Sequence, residues 1–262
     1  MSHPQPRSGP RSGAEAAPFR VNRQGEPSAK GKVRVLMYHR IGAPRYGAFE
    51  KGTVATARFL RQLTVMRTLG YKFWSLDAVA SWLSEGKPAD LRGVVLTFDD
   101  GFGDLYTEAF PALAEIGAGA VIYLLSDMKE DAWRRQKFPD PLSLLTWPQV
   151  REMARTGIVF GSHARTHRRL TECAAQELRE EVGGSKKRIE DEIGQAVRHF
   201  AYPYGVYDER TVDAVREAGY VTACTTRKGS VRHGADVLRL PRWSVGKRMG
   251  LLRFMLRMTL RS

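Results

Sequence analysis

Short apolar runs alternate along the chain with longer stretches in which apolar residues recur every three or four positions. The short runs predict strands, and the stretches with helical periodicity predict helices. Strands are predicted at about 33–38, 93–98, 120–125, 157–160, 198–202, 220–224 and 238–245, and helices at about 59–69, 105–115, 147–155, 174–193 and 208–218.

This alternation of strands and helices predicts βαβ units and a parallel sheet, and therefore an α/β fold. Seven or so repeats favour a closed or nearly closed barrel over an open sheet. In such barrels the functional side chains lie at the carboxyl ends of the strands. The polar residues that follow each predicted strand are therefore the first candidates for chemistry.

Three segments follow from composition. Residues 1–32 are rich in Pro, Gly and Ser and predict a disordered basic tail. Residues 33–246 carry the strand and helix pattern and predict one folded domain, and residues 247–262 predict a basic amphipathic helix. The two end segments hold nine of the fourteen net positive charges. This distribution argues against a nucleic-acid-binding body, so no nucleic acid is expected as a partner.

Features that the sequence lacks argue against a disulfide-rich, a secreted or a membrane-spanning protein. Two cysteines, Cys173 and Cys224, cannot form a disulfide framework. The first 32 residues contain no apolar run of the kind found in secretory signals, and no stretch is long and apolar enough to span a membrane. A cytoplasmic location is expected, with peripheral contact at the inner membrane face as a further option.

Acidic and histidine side chains follow two of the predicted strands. Asp99 and Asp100 end the strand 93–98; one could hold a cation while the other acts as a base, although capping of the next helix is the alternative. His163 and His167 follow the strand 157–160 with the spacing of one helical turn, so both rings could reach one metal. The alternative is a pair of surface histidines.

Two further strand ends carry weaker signals. Pro203 and Gly205 predict a rigid turn whose backbone N–H could face a substrate oxygen, and an ordinary tight turn is the alternative. His39 ends the first strand, where a solvated histidine beside a buried aromatic is the alternative. One Asp and two His at a common end of the barrel suit a metal site with open positions.

The segments 97–101, 161–167 and 200–205 resemble, in order and spacing, three motifs of the polysaccharide deacetylases, the NodB-homology proteins of carbohydrate esterase family four. The segments 36–40 and 238–242 are similar to the branch of exopolysaccharide poly-N-acetylglucosamine deacetylases. The resemblance covers about 33–246 and implies a distorted, incomplete (β/α) barrel. It also implies removal of N-acetyl groups from an amino-sugar glycan by attack of a metal-bound water.

The resemblance also implies residue roles. Asp100, His163 and His167 would hold one divalent metal ion, most commonly Zn²⁺, and Asp99 would be the general base. The backbone N–H of Tyr204 would stabilise the oxyanion. The substrate-binding candidates are Pro203, Tyr204, Arg242 and Trp243.

The sequence departs from the family pattern at three places. Ala201 stands where an arginine usually holds the base, and the Asp and Trp of a fourth motif are missing from 222–227. Arg242 stands where a histidine usually serves as the general acid. The acid is therefore unassigned: His39 could replace part of this machinery, or Asp99 could return the proton itself.

Three functions remain open. The first is deacetylation of an N-acetylated glycan, and the second is deacetylation or deformylation of a lipid-linked amino sugar at the cytoplasmic membrane face. The third is glycan binding without hydrolysis by a degenerate relative. In the helix 247–262, Arg253, Arg257 and Arg261 fall opposite an apolar side, so it either lies on an anionic membrane surface or packs on the barrel.

Overall fold

The computed structural model describes residues 31–43, 50–85, 92–127 and 143–259. The predicted basic tail lies outside the described residues except for its last two positions, and Lys32 already belongs to the first strand. Arg261, one of the arginines of the predicted C-terminal helix, also lies outside them.

Seven of the eleven described strands form a parallel barrel. The strands are β1 (Lys32–Tyr38), β2 (Arg40–Ile41), β3 (Thr53–Val54), β4 (Lys72–Phe73), β5 (Gly93–Phe98), β6 (Val121–Leu124), β7 (Val159–Ser162), β8 (His199–Ala201), β9 (Thr222–Lys228), β10 (Val231–Arg232) and β11 (Leu240–Ser244). β2 and β3 form a separate two-stranded sheet, and β10 pairs antiparallel with β1. β5, β6, β7, β8 and β9 pair in sequence, β11 follows β9, and β1 joins β11 to β5. This closed barrel has seven parallel strands, one fewer than a regular (β/α)₈ barrel, which confirms the predicted fold class.

The helices cover the outside of the barrel. They are α1 (Thr56–Thr68), α2 (Leu76–Glu85), α3 (Phe110–Ile116), α4 (Trp147–Arg155), α5 (Ala175–Arg179), α6 (Ser185–Ile193), α7 (Glu209–Glu217) and α8 (Leu251–Thr259). A π turn, Leu105–Ala109, leads into α3, and a second, Glu180–Gly184, joins α5 to α6. The sequence pattern missed α2, and it placed β7 two residues too early.

Alternate residues of the strands enter two apolar clusters. The smaller one includes Val35, Val95 and Tyr123 and fills the barrel interior, while the larger one lies between the strands and the helices. α2 adds Trp82 to the inner cluster, and its Asp77 pairs with Arg198 beside the start of β8. α2 therefore closes the barrel at the end where the strands begin, and the opposite end is left for function.

The C-terminal helix α8 packs on α1 through part of its apolar side. Phe254 and Met258 are each 1% exposed and belong to the larger core cluster. Leu252 and Leu256 remain 68% and 48% exposed, so the predicted apolar side is divided between core and solvent. Membrane contact by this helix stays a prediction. Among the described residues, none of the helices has the length and hydrophobicity needed to cross a bilayer.

The division of α8 predicts unequal effects of truncating its apolar side chains. Phe254→Ala should lower the free energy of unfolding by about 3–5 kcal/mol and Met258→Ala by about 2–5 kcal/mol, because each leaves a cavity. The matched surface variants Leu252→Ala and Leu256→Ala should change it by less than about 0.5 kcal/mol. Urea unfolding followed by circular dichroism measures all four, and equal losses across the set would contradict the packing described.

Candidate active site

Three side chains meet at the carboxyl end of the barrel strands. Asp100 follows β5, and His163 and His167 follow β7; all three are buried. Asp100 Oδ1 lies 3.5 Å from His163 Nε2 and 3.3 Å from His167 Nε2, and one potential ligand atom from each residue falls within 4.8 Å of the others. The structure therefore brings together the three residues that the sequence nominated as metal ligands.

The donor set fits a divalent metal. Asp100 Oδ1 is buried and forms no hydrogen bond with any described residue. His163 Nδ1 is 2.6 Å from the carbonyl oxygen of Ala201, which can only accept, so Nδ1 carries the proton and Nε2 offers its lone pair toward Asp100. Burial lowers the pKa of His163 to about 4, which keeps its ring neutral at pH 7. Two imidazole nitrogens and one carboxylate oxygen match a zinc site that keeps an open position.

The local structure differs from the two alternatives considered for these residues, a surface histidine pair and a helix cap, and also from the expected helical turn. Burial of His163 and His167 excludes a surface pair, and helical residues begin only at Leu105, after Asp104, so Asp99 and Asp100 do not cap that helix. The histidines lie on an irregular loop. This loop is held by contacts with residues distant in sequence. The i, i+4 spacing therefore predicted correctly that the two rings lie together, but they do not share a helical turn.

Glu181 holds the histidine loop in place. Its buried carboxylate accepts hydrogen bonds from the backbone N–H groups of Arg165 and Thr166 at 3.0 and 2.9 Å and from the Thr166 hydroxyl at 2.6 Å. Glu181 lies in the π turn between α5 and α6. This role could not be predicted from the sequence, because Glu181 is one of many acidic residues in a predicted charged helix.

The site concentrates left-handed backbone conformations at residues other than glycine. Asp100, His167 and Tyr204 have φ values of 71°, 62° and 60°, and Ala164, between the two histidines, has 65°. Each such residue costs on the order of 1–3 kcal/mol and persists only where its surroundings enforce it. Clustering of such residues is typical of a functional site.

Asp99 is fixed by Arg242 across the barrel. Arg242 Nη1 and Nη2 donate to the two carboxylate oxygens of Asp99 at 2.6 and 2.7 Å, and Nη1 also reaches Thr97 Oγ1 at 3.1 Å. Nε donates to the carbonyl oxygen of Thr225 at 2.9 Å. Both charged side chains are buried, so this bidentate ion pair is shielded from solvent.

The charges of this site set the protonation states of both carboxyls. Burial acts to raise the pKa of Asp99, but the charge and hydrogen bonds of Arg242, together with interactions with His163 and His39, more than offset it, and the net pKa is lowered. Burial also acts to raise the pKa of Asp100, and contacts with His167, His39 and His163 more than offset it. Both groups are therefore carboxylates at neutral pH.

His39 and the turn after β8 border the same site. His39 is half-buried, and its electrostatic interaction with Asp99 and Asp100 acts to lower the pKa of both, so its side chain lies close enough to influence both carboxyls. The ring of Tyr204 lies 4.5 Å from that of His167, and Tyr204 is 37% exposed, whereas Pro203 is buried. Tyr204 thus presents the accessible surface of this turn.

Arg242 and Trp243 do not have the positions expected of substrate contacts. Arg242 is 1% exposed and uses four of its N–H groups on Asp99, Thr97 and Thr225. Trp243 is 7% exposed, and cations lie over its ring, Arg257 at 4.9 Å and Lys228 at 5.4 Å. Arg242 thus contacts Asp99, and substrate binding by Arg242 and Trp243 stays a prediction.

A signal for the role of Arg242 was present in the sequence. Ala201 replaces the arginine that usually holds the base, and a buried carboxylate without a cation would be strongly destabilising. A substitute cation was therefore required at another strand end. β11 follows β9 in the barrel, and its Arg242 meets that requirement.

Comparison with known proteins agrees with this geometry. Residues 86–223 match the family model described as polysaccharide deacetylase, which is more than half of the chain. The chain belongs to this family. The match includes all three residues of the metal cluster and Asp99, and it ends before Arg242.

Individual deacetylases of the family are similar to the chain over different lengths. A Bacillus subtilis protein named as a polysaccharide deacetylase, YxkH, is 28% identical over 83% of this chain and 73% of its own length. The poly-beta-1,6-N-acetyl-D-glucosamine N-deacetylase of Escherichia coli is 35% identical over 42% of this chain, but the match covers only 17% of that protein. The structure of the Streptococcus pyogenes deacetylase PplD in complex with acetate is 26% identical, with a TM-score of 0.78 over 88% of this chain and 100% of the other.

The donor set predicts how metal binding depends on its histidines. His163→Ala and His167→Ala should each weaken Zn²⁺ binding at pH 7 by more than about a hundredfold, since even changes outside the ligand shell cost 10–100-fold. Isothermal titration calorimetry and the metal content of the purified protein measure the effect. The exposed His233 offers a matched control, and His233→Ala should bind zinc as the unchanged protein does. Full zinc binding in a His163→Ala, His167→Ala double variant would contradict the site.

The buried ion pair predicts a stability that depends on pH. Arg242→Met leaves Asp99 without its cation and should lower the free energy of unfolding by about 3–5 kcal/mol at pH 7. Adding Asp99→Asn should recover part of that loss, because no buried charge then remains. The lowered pKa of Asp99 means that its contribution is fully present above its unfolded value of 3.8 and is lost as the pH falls through the folded pKa.

Denaturant titrations of the unchanged protein and of Asp99→Asn test the pH dependence directly. The difference in unfolding free energy between them should shrink as the pH is lowered below about 4. A difference that stays constant down to acid pH would show that the pKa of Asp99 is not lowered by folding.

Proposed function

We propose that the protein is a metal-dependent deacetylase that hydrolyses the N-acetyl group of an amino sugar within a glycan. The observation that carries this proposal is the pairing of Asp99 with Arg242 beside the cluster of Asp100, His163 and His167. A carboxylate held rigidly next to a metal-binding cluster is the arrangement that hydrolysis of an unreactive amide requires.

Each residue has a defined part in the reaction. A divalent ion held by Asp100, His163 and His167 would polarise the acetyl carbonyl and lower the pKa of a water. Asp99 takes a proton from the attacking water, and Arg242 keeps the carboxylate ionised and correctly oriented. The backbone N–H of Tyr204 donates to the oxyanion as the tetrahedral carbon forms. Breakdown releases acetate and the free amine.

The leaving nitrogen needs a proton before the C–N bond breaks. We assign this proton to His39, which follows β1, the strand neighbouring β5, and acts electrostatically on both carboxyls. The alternative is that Asp99 returns the proton it has taken. Arg242 contributes to the lowered pKa of Asp99, so protonated Asp99 would also be acidic enough to return the proton, and experiment must separate the two routes.

The test of Asp99 as the base uses a variant that keeps its shape. Asp99→Asn should bind zinc like the unchanged protein while kcat for acetate release from N-acetylglucosamine oligosaccharides falls by about 10²–10⁴-fold. Acetate is quantified by a coupled assay on zinc-loaded protein. Unchanged kcat in Asp99→Asn would exclude it as the base, and absence of acetate release from the unchanged protein, despite tight glycan binding, would indicate a binding protein instead.

The same assay separates the two routes for proton return. If His39 is the donor, His39→Gln should lower kcat by about 10²–10⁴-fold and remove one limb of the pH profile of kcat/KM. If Asp99 returns the proton, His39→Gln should keep both limbs.

A further inference from the structure

A cavity of about 390 Å³ opens where β9 and β11 end, on the same rim of the barrel as Asp100, His163 and His167. Its walls also include the turn before β3 and the first turn of α8. Six basic side chains line it: Lys51, Lys228, Arg242, Arg248, Arg253 and Arg257. None of the acidic side chains that the structure describes lines this cavity, which we call the basic pocket.

The positive charge of the basic pocket is not balanced within the described part of the chain. Asp99 neutralises Arg242, but no described acidic side chain forms an ion pair with any of the other five lining cations. Burial and the neighbouring charge of Arg253 lower the pKa of Arg257, which shows that these cations repel one another. An anion would remove this repulsion.

Two of the cations are held in fixed positions. Lys228 and Arg257 both lie over the ring of Trp243, and Arg257 Nη1 donates to the carbonyl oxygen of Ser244 at 3.2 Å. The indole N–H of Trp243 in turn donates to Ser230 Oγ at 3.2 Å. Cations that are already positioned lose little conformational entropy on binding, so the pocket is prepared for a ligand.

The basic pocket shares walls with the candidate active site. Arg242 lines the pocket and also holds Asp99. Thr226 lines it as well, and its hydroxyl donates to the carbonyl oxygen of Tyr204 at 3.3 Å. A Cβ on Gly205, whose φ is +70°, would lie 2.0 Å from Thr226 Oγ1, so the turn packs tightly on this wall. The pocket is therefore linked to Asp99 through Arg242 and to the turn that carries Tyr204 through Thr226.

We propose that the basic pocket binds a phosphoryl group that belongs to the substrate, so that the N-acetylated sugar is presented with a phosphodiester or pyrophosphate next to it. This inference rests on the proposed deacetylase function and adds a substrate class to it. Five cations that no described acid pairs with exceed what one carboxylate would balance, whereas a pyrophosphate offers several charges and many acceptor oxygens. Arginine forks match phosphate oxygens in geometry.

The binding test uses full-length zinc-loaded protein and inorganic pyrophosphate as the probe. Arg248 and Arg253 are exposed and can be changed together to Gln without disturbing the core. Arg248→Gln, Arg253→Gln should weaken pyrophosphate binding by about tenfold, as expected for two partly solvated charge contacts. The matched control is Arg61→Gln, Arg155→Gln, which removes two exposed arginines that do not line the pocket and should leave the affinity unchanged.

The activity test compares a neutral N-acetylglucosamine disaccharide with the same disaccharide carrying a pyrophosphate ester at its reducing end. The ratio of kcat/KM for the charged over the neutral substrate should exceed one and should fall about tenfold in Arg248→Gln, Arg253→Gln. The control pair should keep the original ratio. Added salt should reduce the ratio, because it screens the charges of the pocket.

The outcomes separate this inference from the proposed function. Normal acetate release with no preference for the charged substrate overturns the phosphoryl site alone. Absence of acetate release from both substrates overturns the deacetylase. If soluble pyrophosphate does not bind, but Arg248→Gln, Arg253→Gln abolishes sedimentation with phosphatidylglycerol vesicles, the pocket contacts a membrane surface and the substrate-borne phosphate is excluded.

Discussion

The buried ion pair between Asp99 and Arg242 is the interaction on which the rest of the active site depends. It joins β5 to β11, two strands that flank β1 on either side in the barrel. Two charges in a dry interior are tolerable only when each satisfies the other and the remaining donors find acceptors. Thr97 and the carbonyl of Thr225 supply those acceptors. The geometry of the base is therefore a property of barrel closure rather than of any local motif.

The three candidate metal ligands and the turn beside them include backbone conformations that local sequence preferences disfavour. Left-handed conformations at Asp100, His167 and Tyr204 oppose local preference, and tertiary contacts enforce them. Glu181 ties down the histidine loop. Gly161 lets that segment approach β6 and β8, since a Cβ there would lie 2.6 Å from the ring of Tyr123. Local rules are broken where ligands must converge and are kept in the surrounding helices and strands.

The local sequence pattern predicted strands and helices well where the hydrophobic period and the length of a run indicated the same element. The limits of β5 and α4 were predicted to the residue, because each is a continuous run with clear boundaries. The predicted position of β7 was two residues too early because Gly161 and Ser162, which end the strand, lack the apolar character of a strand. α2 was missed because its apolar residues lie among small ones in a short segment.

The residues of the candidate active site also differ in whether the sequence could predict them. Asp100, His163 and His167 could be nominated because strand ends converge in a barrel. The partner of Asp99 could not be assigned, because residues 99 and 242 are joined by a long-range contact that no local period encodes. The C-terminal helix was ambiguous for a related reason: its wheel shows one apolar side, and only the packing of α1 determines which half of it is covered.

The position of Arg242 late in the chain has a consequence for biosynthesis. A ribosome makes the chain from its amino end, so all three metal ligands and Asp99 emerge well before the strand that carries Arg242. A nascent or prematurely ended chain that lacks β11 has the ligands but leaves the barrel open between β9 and β1 and Asp99 without its cation. Such a fragment keeps the side chains of Asp100, His163 and His167 but lacks the cation that orients Asp99. The geometry at Asp99 is thus acquired only with one of the last strands to be synthesised.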